Sequence, residues 1–387
     1  MGHIKNLDDK YVLGTYARFP LELVKGNGSY VYDIDGKEYI DMGSGIGVTA
    51  FGFCDEEWKN SIISQLNNLQ HTSNLYYTEP CAKLAEIICN RTNMKKVFFS
   101  NSGAEANECA IKTARKYATE KKGKEYYNII TLKNSFHGRT ITTLSATGQD
   151  HYHKDFNPLT EGFLYAEANN IKSVENLISN NVAAIILECV QGEGGVIPLD
   201  AGFIKSVAEI CNDNDILLII DEVQTGNGRT GELYAYMNYG ISPDIVTTAK
   251  GLGGGLPIGA IMFGEKVQNV LKHGDHGSTY GGNPVCCAGA INILSRIDDK
   301  LLLEVKEKSD YIFNELIDCK GVVSVSGMGL MIGIKTEKAA SEIVKECMEN
   351  GVLCLTAKDK VRLLPALNIP FETLKKAIKI IKSACEE

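Results

Sequence analysis

Two charged side chains stand at the ends of strand-like runs. Asp221 follows residues 216–220, and Lys250 follows residues 244–249 and precedes a glycine-dense loop. In open α/β sheets, ligands bind beyond the carboxyl ends of strands, and both groups are predicted at that edge. A desolvated lysine can lose its proton and attack a carbonyl carbon, and a buried carboxylate can oppose a cationic ring nitrogen. Taken singly, a helix-capping Asp and a solvated loop Lys stay open as alternatives.

A third motif is suited to an anion. Ser102, Gly103 and Ala104 follow an apolar run and open a helical pattern. Free N–H groups and the helix dipole favour negative charge there, although a plain helix cap has the same sequence. The chain has no GxxxxGK[ST] motif, so a nucleotide P-loop is not supported.

Four further residues are candidates for ligand contacts. Phe136 could stack on a ring, and Arg139 could hold a carboxylate bidentately. Arg362 lies within a strand-like apolar run, and Glu193 lies in a glycine turn after a strand. Taken alone the Phe136–Arg139 motif is weak, because most arginines lie on the surface, whereas the apolar neighbours of Arg362 disfavour a solvated face.

The elements that position these residues alternate between strand and helix. Helical spacing predicts helices over residues 104–119 and 203–212. Short runs rich in Val, Ile and Phe predict strands at 96–100, 127–132, 183–190, 216–221, 245–249 and 260–263. Continuous apolar strands separated by helices predict an α/β fold with a mostly parallel sheet covered on both faces.

The two ends of the chain differ from the middle. Residues 21–41 predict short strands around the turn pair Asp35–Gly36, and residues 286–387 alternate helix, strand and helix. We therefore predict a large α/β domain over 55–285. A smaller domain is predicted from 1–54 and 286–387 together.

The composition of the chain limits its expected binding partners and cellular location. The net charge is −8 without a Lys/Arg-rich run, which argues against nucleic acid and anionic membranes. Twelve scattered cysteines predict free thiols in a reducing cytosol, and no targeting segment is visible, so a cytoplasmic location is expected. The apolar runs are far shorter than the ~20 residues that span a membrane.

Two other motifs are weak. Residues 226–231 match GxGxxG, but no convincing helix follows, which disfavours a dinucleotide site. The pairs His151/His153 and His273/His276 lack partners at zinc spacing, so no metal is expected.

Taken in order, the motifs resemble the class III, fold-type-I aminotransferases, over about residues 16–370. The strings that carry the resemblance are residues 101–107, 136–139, 221–226 and 248–251. The resemblance implies pyridoxal 5′-phosphate as cofactor, a large cofactor-binding domain and a smaller α+β domain.

The resemblance also implies the roles of the site residues. Lys250 would form the Schiff base and move protons, and Asp221 would keep the pyridine nitrogen protonated. The other cofactor contacts would be Ser102, Gly103, Ala104, Phe136, Gln224 and, from the partner subunit of a homodimer, Thr279. The substrate contacts would be Arg139, Arg362, Glu193, Ser278 and Tyr16.

Finer motifs at 15–20, 23–28, 44–47, 71–77 and 228–235 are similar to one subgroup of the class. That subgroup acts in arginine biosynthesis and transfers the terminal amine of N2-acetyl-L-ornithine to 2-oxoglutarate. The products are N-acetyl-L-glutamate 5-semialdehyde and L-glutamate. The chain departs from the usual pattern at 53–56, at Cys189 and at Ala366. Alternative readings are another ω-aminotransferase, acting on ornithine, succinylornithine, 4-aminobutyrate or putrescine, and a catalytically silent relative.

Overall fold

A computed structural model describes residues 2–386 of the chain. The strands are β1 Leu23–Asn27, β2 Tyr30–Asp33, β3 Glu38–Asp41, β4 Lys96–Ser100, β5 Asn128–Leu132, β6 Phe163–Ala166, β7 Val182–Leu187, β8 Val190–Gln191, β9 Ile197–Pro198, β10 Leu217–Asp221, β11 Ile245–Thr248, β12 Gly259–Phe263, β13 Val322–Met328, β14 Met331–Thr336, β15 Val352–Leu353, β16 Leu355–Ala357 and β17 Lys360–Leu363. The helices are α1 His3–Tyr11, α2 Ser44–Gly47, α3 Glu56–Asn68, α4 Glu79–Thr92, α5 Gly103–Lys121, α6 Ile141–Ala146, α7 Asp150–His153, α8 Ile171–Glu175, α9 Ala201–Asp213, α10 Pro284–Arg296, α11 Asp299–Leu316, α12 Ala340–Glu349 and α13 Phe371–Glu386. Two short 3-10 helices cover Ala235–Tyr239 and Lys250–Leu252.

The central sheet has seven strands in the order β4-β12-β11-β10-β7-β5-β6. Only β12 runs antiparallel to its neighbours, so the predicted mostly parallel α/β sheet is confirmed. All six predicted strands belong to this sheet, with their ends shifted by up to three residues. β6 at the edge was not predicted.

The core lies on both faces of this sheet. Every residue of β7, β10 and β12 is buried, which explains their continuous apolar runs. Helix α5 covers one face with Cys109, Ala110 and Ala114, which pack with Ile219 of β10. The helix begins at Gly103 because Ser102 caps it and accepts a hydrogen bond from the Glu105 N–H.

Residues near both ends of the chain form two smaller sheets. One has the order β1-β2-β3-β15, in which Val352 pairs with Ile40 in parallel register. The other, β13-β14-β17-β16, pairs Gly333 with Arg362. The predicted turn at Asp35–Gly36 joins β2 to β3. The domain boundaries at 55 and 285 stay a prediction.

The segment after β3 has an unusual backbone. All four residues of α2, from Ser44 to Gly47, have positive φ, including the β-branched Ile46 at +67°. The Asp41 carboxylate accepts hydrogen bonds from the N–H groups of Gly43 and Ser44, at 2.8 and 3.0 Å. Strained backbone of this kind is maintained only where surrounding contacts fix it.

Within residues 2–386, no helix has both the length and the apolar character needed to cross a bilayer.

Candidate active site

A cavity of about 450 Å³ opens at the carboxyl edge of the parallel strands. Most of its lining comes from the loops that follow β4, β5, β10 and β11, as the sheet rule predicts. Eight of the predicted site residues line it together, namely Ser102, Gly103, Ala104, Phe136, Arg139, Asp221, Gln224 and Lys250.

Lys250 lies at the end of β11 in a left-handed backbone conformation, with φ of +45°. This is rare for residues other than glycine and is found where surrounding structure imposes it, often at functional sites. Its Nζ has no hydrogen-bond partner among residues 2–386. Burial lowers the pKa of Lys250, although the charges of Glu193 and Asp221 oppose this effect. The amine is therefore closer to its nucleophilic, neutral form than an exposed lysine is.

Asp221 ends β10 and is almost fully buried, with 3% of its surface exposed. Its Oδ2 accepts hydrogen bonds from Asn107 Nδ2 at 2.8 Å and from His137 Nδ1 at 2.7 Å. Its Oδ1 accepts one hydrogen bond, from the Val223 N–H at 3.0 Å. Oδ1 thus keeps acceptor capacity toward the cavity, which Asp221 lines.

Asn107 and His137 were not predicted as site residues. Asn107 lies one helical turn after Gly103 on α5, and its Oδ1 accepts a hydrogen bond from Thr247 Oγ1 at 2.7 Å. Burial opposes a charged His137, but its hydrogen bond to Asp221 and the Asp221 charge outweigh burial and raise its pKa. The i, i+4 spacing of Gly103 and Asn107 was the only signal for the asparagine. Together the two side chains hold one oxygen of Asp221 in place.

Glu188 is a second carboxyl group at the cavity that was not predicted. Its Oε2 accepts a hydrogen bond from the Phe136 N–H at 3.0 Å, and its Oε1 accepts one from the Gly192 N–H at 3.5 Å. Burial raises the pKa of Glu188 to about 7; His137 lowers it and Asp221 raises it further. Glu188 thereby connects the loop that carries Phe136 to the glycine turn that carries Glu193.

The first turn of α5 also lines the cavity. Ser102 is its N-cap, and the N–H groups of Gly103 and Ala104 have no acceptor among residues 2–386. A Cβ on Gly103 would come within 2.6 Å of Val223 Cγ1, so this position requires glycine. The turn offers unpaired donors at the positive end of a helix dipole, which suits an anion.

Glu193, Gln224 and Arg362 form a polar cluster beside the cavity. Arg362 Nη1 donates hydrogen bonds to Glu193 Oε1 and, at 3.3 Å, to Gln224 Oε1. Gln224 Nε2 donates to Glu193 Oε1 at 3.3 Å. Burial opposes ionisation of Glu193, but the Arg362 charge and hydrogen bond outweigh it and lower its pKa. The lowered pKa favours the carboxylate form of Glu193, and Arg362 Nε keeps an unused, buried N–H.

Arg139 lies at the exposed rim of the cavity. Its guanidinium carbon is 4.4 Å from the ring centroid of Tyr152 and 5.7 Å from that of Phe136. Neither contact uses its N–H groups, which leaves the planar fork available for a carboxylate.

Five predicted residues are not part of the cavity lining: Glu193 and Arg362 lie beside it, and Ser278, Thr279 and Tyr16 also do not line it. Ser278 Oγ accepts hydrogen bonds from Asn101 Nδ2 at 3.2 Å and from the Gly281 N–H at 2.9 Å. Thr279 is exposed, and Tyr16 is 74% exposed on the segment before β1. Their parts in a site remain predictions.

The donor set suits an anionic ligand with a cationic ring nitrogen more than a metal. Among residues 2–386, no three His, Cys, Asp or Glu side chains are grouped as a metal site would need. The cavity instead combines free helix N–H groups, a carboxylate oxygen with spare capacity and a lysine of lowered pKa.

Comparison with known proteins identifies the group. The family Aminotransferase class-III matches residues 13–385. The acetylornithine aminotransferase of Haemophilus ducreyi is 49% identical and covers 99% of this chain and 98% of its own. That of Methanocaldococcus jannaschii is 43% identical, covering 99% and 98%.

Solved structures agree on the fold. The ornithine aminotransferase of Toxoplasma gondii superposes with a TM-score of 0.95 at 32% identity, covering 99% of this chain and 94% of its own. The N-acetylornithine aminotransferase of Stenotrophomonas maltophilia gives 0.85 at 34% identity, covering 98% and 97%. An amine transaminase from a Pseudomonas species was solved in its pyridoxal-phosphate-bound form. Enzymes of this class use that cofactor. With a family match over nearly its whole length and relatives at 42–49% identity, the chain belongs to the class III aminotransferases.

Proposed function

We propose that this chain transfers the terminal amine of N2-acetyl-L-ornithine to 2-oxoglutarate, giving N-acetyl-L-glutamate 5-semialdehyde and L-glutamate, in arginine biosynthesis. The observation that carries the proposal is the Glu193–Arg362 pair beside the Lys250 cavity. A reaction of this kind must accept a dicarboxylate and a monocarboxylate amine in turn. An arginine that can be bound to or released from a neighbouring carboxylate meets that need.

The cavity fits pyridoxal 5′-phosphate. The free N–H groups of Gly103 and Ala104, with the Ser102 hydroxyl, would hold the phosphate. Asp221 Oδ1 would accept the pyridinium N–H, with Phe136 against the ring and Gln224 near its hydroxyl. When bound, this cofactor stores the amino group and accepts the electron pair left on the substrate carbon.

Lys250 supplies the covalent link and the proton transfers. Its lowered pKa makes Nζ a competent base toward the proton on the carbon that bears the substrate amine. Asn107 and His137 hold Asp221 Oδ2 in place. A fixed buried charge needs little rearrangement as the reaction proceeds, which is how such sites lower barriers.

Arg139 and Arg362 would bind the carboxylates of the substrates. 2-Oxoglutarate has two, and each arginine would take one. N2-Acetyl-L-ornithine has one, which Arg139 would bind. Glu193 then neutralises Arg362, in the pairing that the structure holds. Without Glu193, the unpaired Arg362 would face the uncharged part of the donor.

The choice of donor is supported by the relatives. Six curated relatives at 42–49% identity are acetylornithine aminotransferases. Fold similarity does not separate donors, because an ornithine aminotransferase superposes as well. Ornithine, succinylornithine, 4-aminobutyrate and putrescine are therefore the competing donors in the test.

We also propose that the chain works in the cytoplasm as a homodimer. Thr279 would reach the partner's phosphate site, and Ser278 and Tyr16 would line the substrate side. Residues 55–285 would form the cofactor-binding domain, with 1–54 and 286–387 as the smaller one. Exposed Leu75, Tyr76 and Tyr77 support an interface, because monomers rarely expose contiguous large apolar side chains.

The test follows the visible absorption band of the cofactor-loaded protein. N2-Acetyl-L-ornithine is expected to bleach the band at lower concentration than the four competing amines, and 2-oxoglutarate to restore it. If another amine bleaches the band at a lower concentration, that amine is the donor, and the chain is still a class III aminotransferase. A protein that shows no band after incubation with pyridoxal phosphate would contradict the proposed cofactor site.

A further inference from the structure

Arg229 is a buried cation without a carboxylate partner. It is 2% exposed, and no Asp or Glu of residues 2–386 lies within ion-pair distance of it. Burial lowers its pKa to about 10, so it remains charged at neutral pH. Burying an uncompensated charge is expensive, and such a group is kept where its contacts matter.

The contacts of Arg229 are with the ends of two paired strands. Its Nη1 donates hydrogen bonds to the carbonyl oxygens of Leu330, at 3.1 Å, and Pro365, at 2.5 Å. The Leu330 N–H donates in return to the Arg229 carbonyl at 2.9 Å. Leu330 immediately precedes β14, and Pro365 closely follows β17. The side chain therefore ties the same end of both strands to the loop after β10.

Those two strands carry Arg362. β14 and β17 are antiparallel neighbours, with Gly333 opposite Arg362. Gln224, earlier in the loop that carries Arg229, contacts the Arg362 guanidinium directly. The loop thus touches the β14–β17 pair twice, once at the strand ends and once at the substrate arginine. Its first residues continue β10, which pairs with β11, the strand that ends beside Lys250.

Resting on the proposed function, we propose that Arg229 is a positioning residue that sets the distance between Arg362 and Lys250 and so selects dicarboxylate substrates. A dicarboxylate must reach Arg362 while its reacting carbon lies at Lys250. Binding of the amine donor does not depend on the distance between Arg362 and Lys250, because Glu193 neutralises Arg362 during that half-reaction. Displacing the β14–β17 pair should therefore weaken the half-reaction with the dicarboxylate and leave the half-reaction with the amine donor unchanged.

The test measures the two half-reactions separately with cofactor-loaded enzyme in a stopped-flow spectrophotometer. Arg229→Met keeps side-chain volume and removes the N–H donors. We expect the apparent dissociation constant for 2-oxoglutarate, and for L-glutamate in reverse, to rise about tenfold. The reaction with N2-acetyl-L-ornithine is expected to stay within about twofold. Arg229→Lys, which keeps the charge, should lie between Arg229→Met and the unaltered protein.

The matched control is Lys308→Met. Lys308 is also a buried cation, 3% exposed, and donates to the Leu367 carbonyl at 2.9 Å, just beyond Pro365. Lys308 makes no hydrogen bond to Leu330 or Pro365. Its substitution therefore measures the effect of a general loss of stability in this region. Equal weakening of both half-reactions in Arg229→Met, the same selective effect in Lys308→Met, or unchanged dicarboxylate binding would overturn the inference. If Arg229→Met does not fold, Arg229→Lys decides by the same ratio.

The inference and the proposed function fail differently. If the unaltered protein ignores N2-acetyl-L-ornithine but reacts with L-glutamate, the proposed donor is wrong. The Arg229 comparison then continues with whichever amine bleaches the band.

Discussion

At the scale of single residues, the charged groups of the site differ in their hydrogen-bond partners. Asp221 is held by two side-chain donors and one backbone donor, Glu193 is paired with Arg362, and Lys250 has no hydrogen-bond acceptor of its own among residues 2–386. Lys250 alone is therefore left ready to react. Such divergence of neighbouring titratable groups is typical of acid–base sites.

Replacing Lys250 by Ala is expected to lower turnover by at least about 10³-fold, because both the nucleophile and the base are lost. The fold should survive, since Nζ makes no hydrogen bond in the described chain. Steady-state rates and thermal unfolding check both parts. Lys266→Ala, at an exposed lysine, is the control. Full activity in Lys250→Ala would contradict the mechanism.

Glu222, next to Asp221, should make stability depend on pH. It is fully buried and accepts hydrogen bonds from Thr225 Oγ1 at 2.6 Å and the Tyr236 N–H at 2.8 Å. Burial outweighs these bonds and raises its pKa to about 7. The folded chain then keeps a proton that the unfolded chain releases near pH 4.3. The stabilisation is complete below that pH and is lost as pH rises through 7.

Glu222→Gln is therefore expected to lose less stability than the unaltered protein between pH 5.5 and pH 8. The difference is roughly 2 kcal/mol, because only the part of the pKa shift between pH 5.5 and pH 7 lies in this window. Denaturant midpoints at the two pH values measure it. Glu79→Gln, at an exposed position, controls for the lost charge. Parallel pH curves for Glu222→Gln and the unaltered protein would refute the assignment.

The residues that could be predicted were those whose signal lies in their own local sequence. Lys250 and Asp221 end apolar strands, and Ser102 begins a helix. Asn107 and Glu188 face the site only because α5 packs on the sheet and because a carboxyl group bridges two loops. Contacts of that kind depend on tertiary packing, which periodicity does not encode.

At the scale of elements, the buried strands of the central sheet were predicted well. The strand β6 at its edge and the direction of each strand were not. β6 is a four-residue edge strand, only partly buried at most positions, so its apolar signal is weak. β12 is antiparallel, and burial on both faces gives it the same apolar run as a parallel strand. Direction follows from connections across the whole chain rather than from composition.

Helix α3 offers a test of capping. Asp55 accepts a hydrogen bond from the Trp58 N–H at 2.9 Å and a bidentate pair from Arg296, at 2.6 and 3.0 Å. Asp55→Ala should lower the free energy of unfolding by about 1–3 kcal/mol, because cap and partly buried ion pair are both lost. Chemical denaturation measures the change.

Asp55→Asn is the matched variant, because an asparagine keeps the cap and loses the ion pair. It should fall between Asp55→Ala and the unaltered protein. If the two substitutions cost the same, the cap contributes nothing measurable and only the pairing with Arg296 stabilises this junction.

At the scale of the whole molecule, the proposed dimer makes each site depend on two chains. Mixed dimers of a Lys250→Ala chain and a Thr279→Ala chain should contain one site with both residues intact. We expect such dimers to exceed the activity of either parent, measured after refolding a mixture. No recovery would indicate that Thr279 acts within its own chain or not at all.

The parallel pairing of β3 with β15 has a consequence for how the protein is made. Ile40 leaves the ribosome long before Val352, its partner in the sheet. At about 5–20 residues per second, the N-terminal strands wait roughly 15 to 60 seconds for the strand that completes them. During that interval the seven-stranded sheet, whose last strand ends at Phe263, can already form. The nascent chain therefore exposes an open strand edge at its beginning, which only the end of synthesis covers.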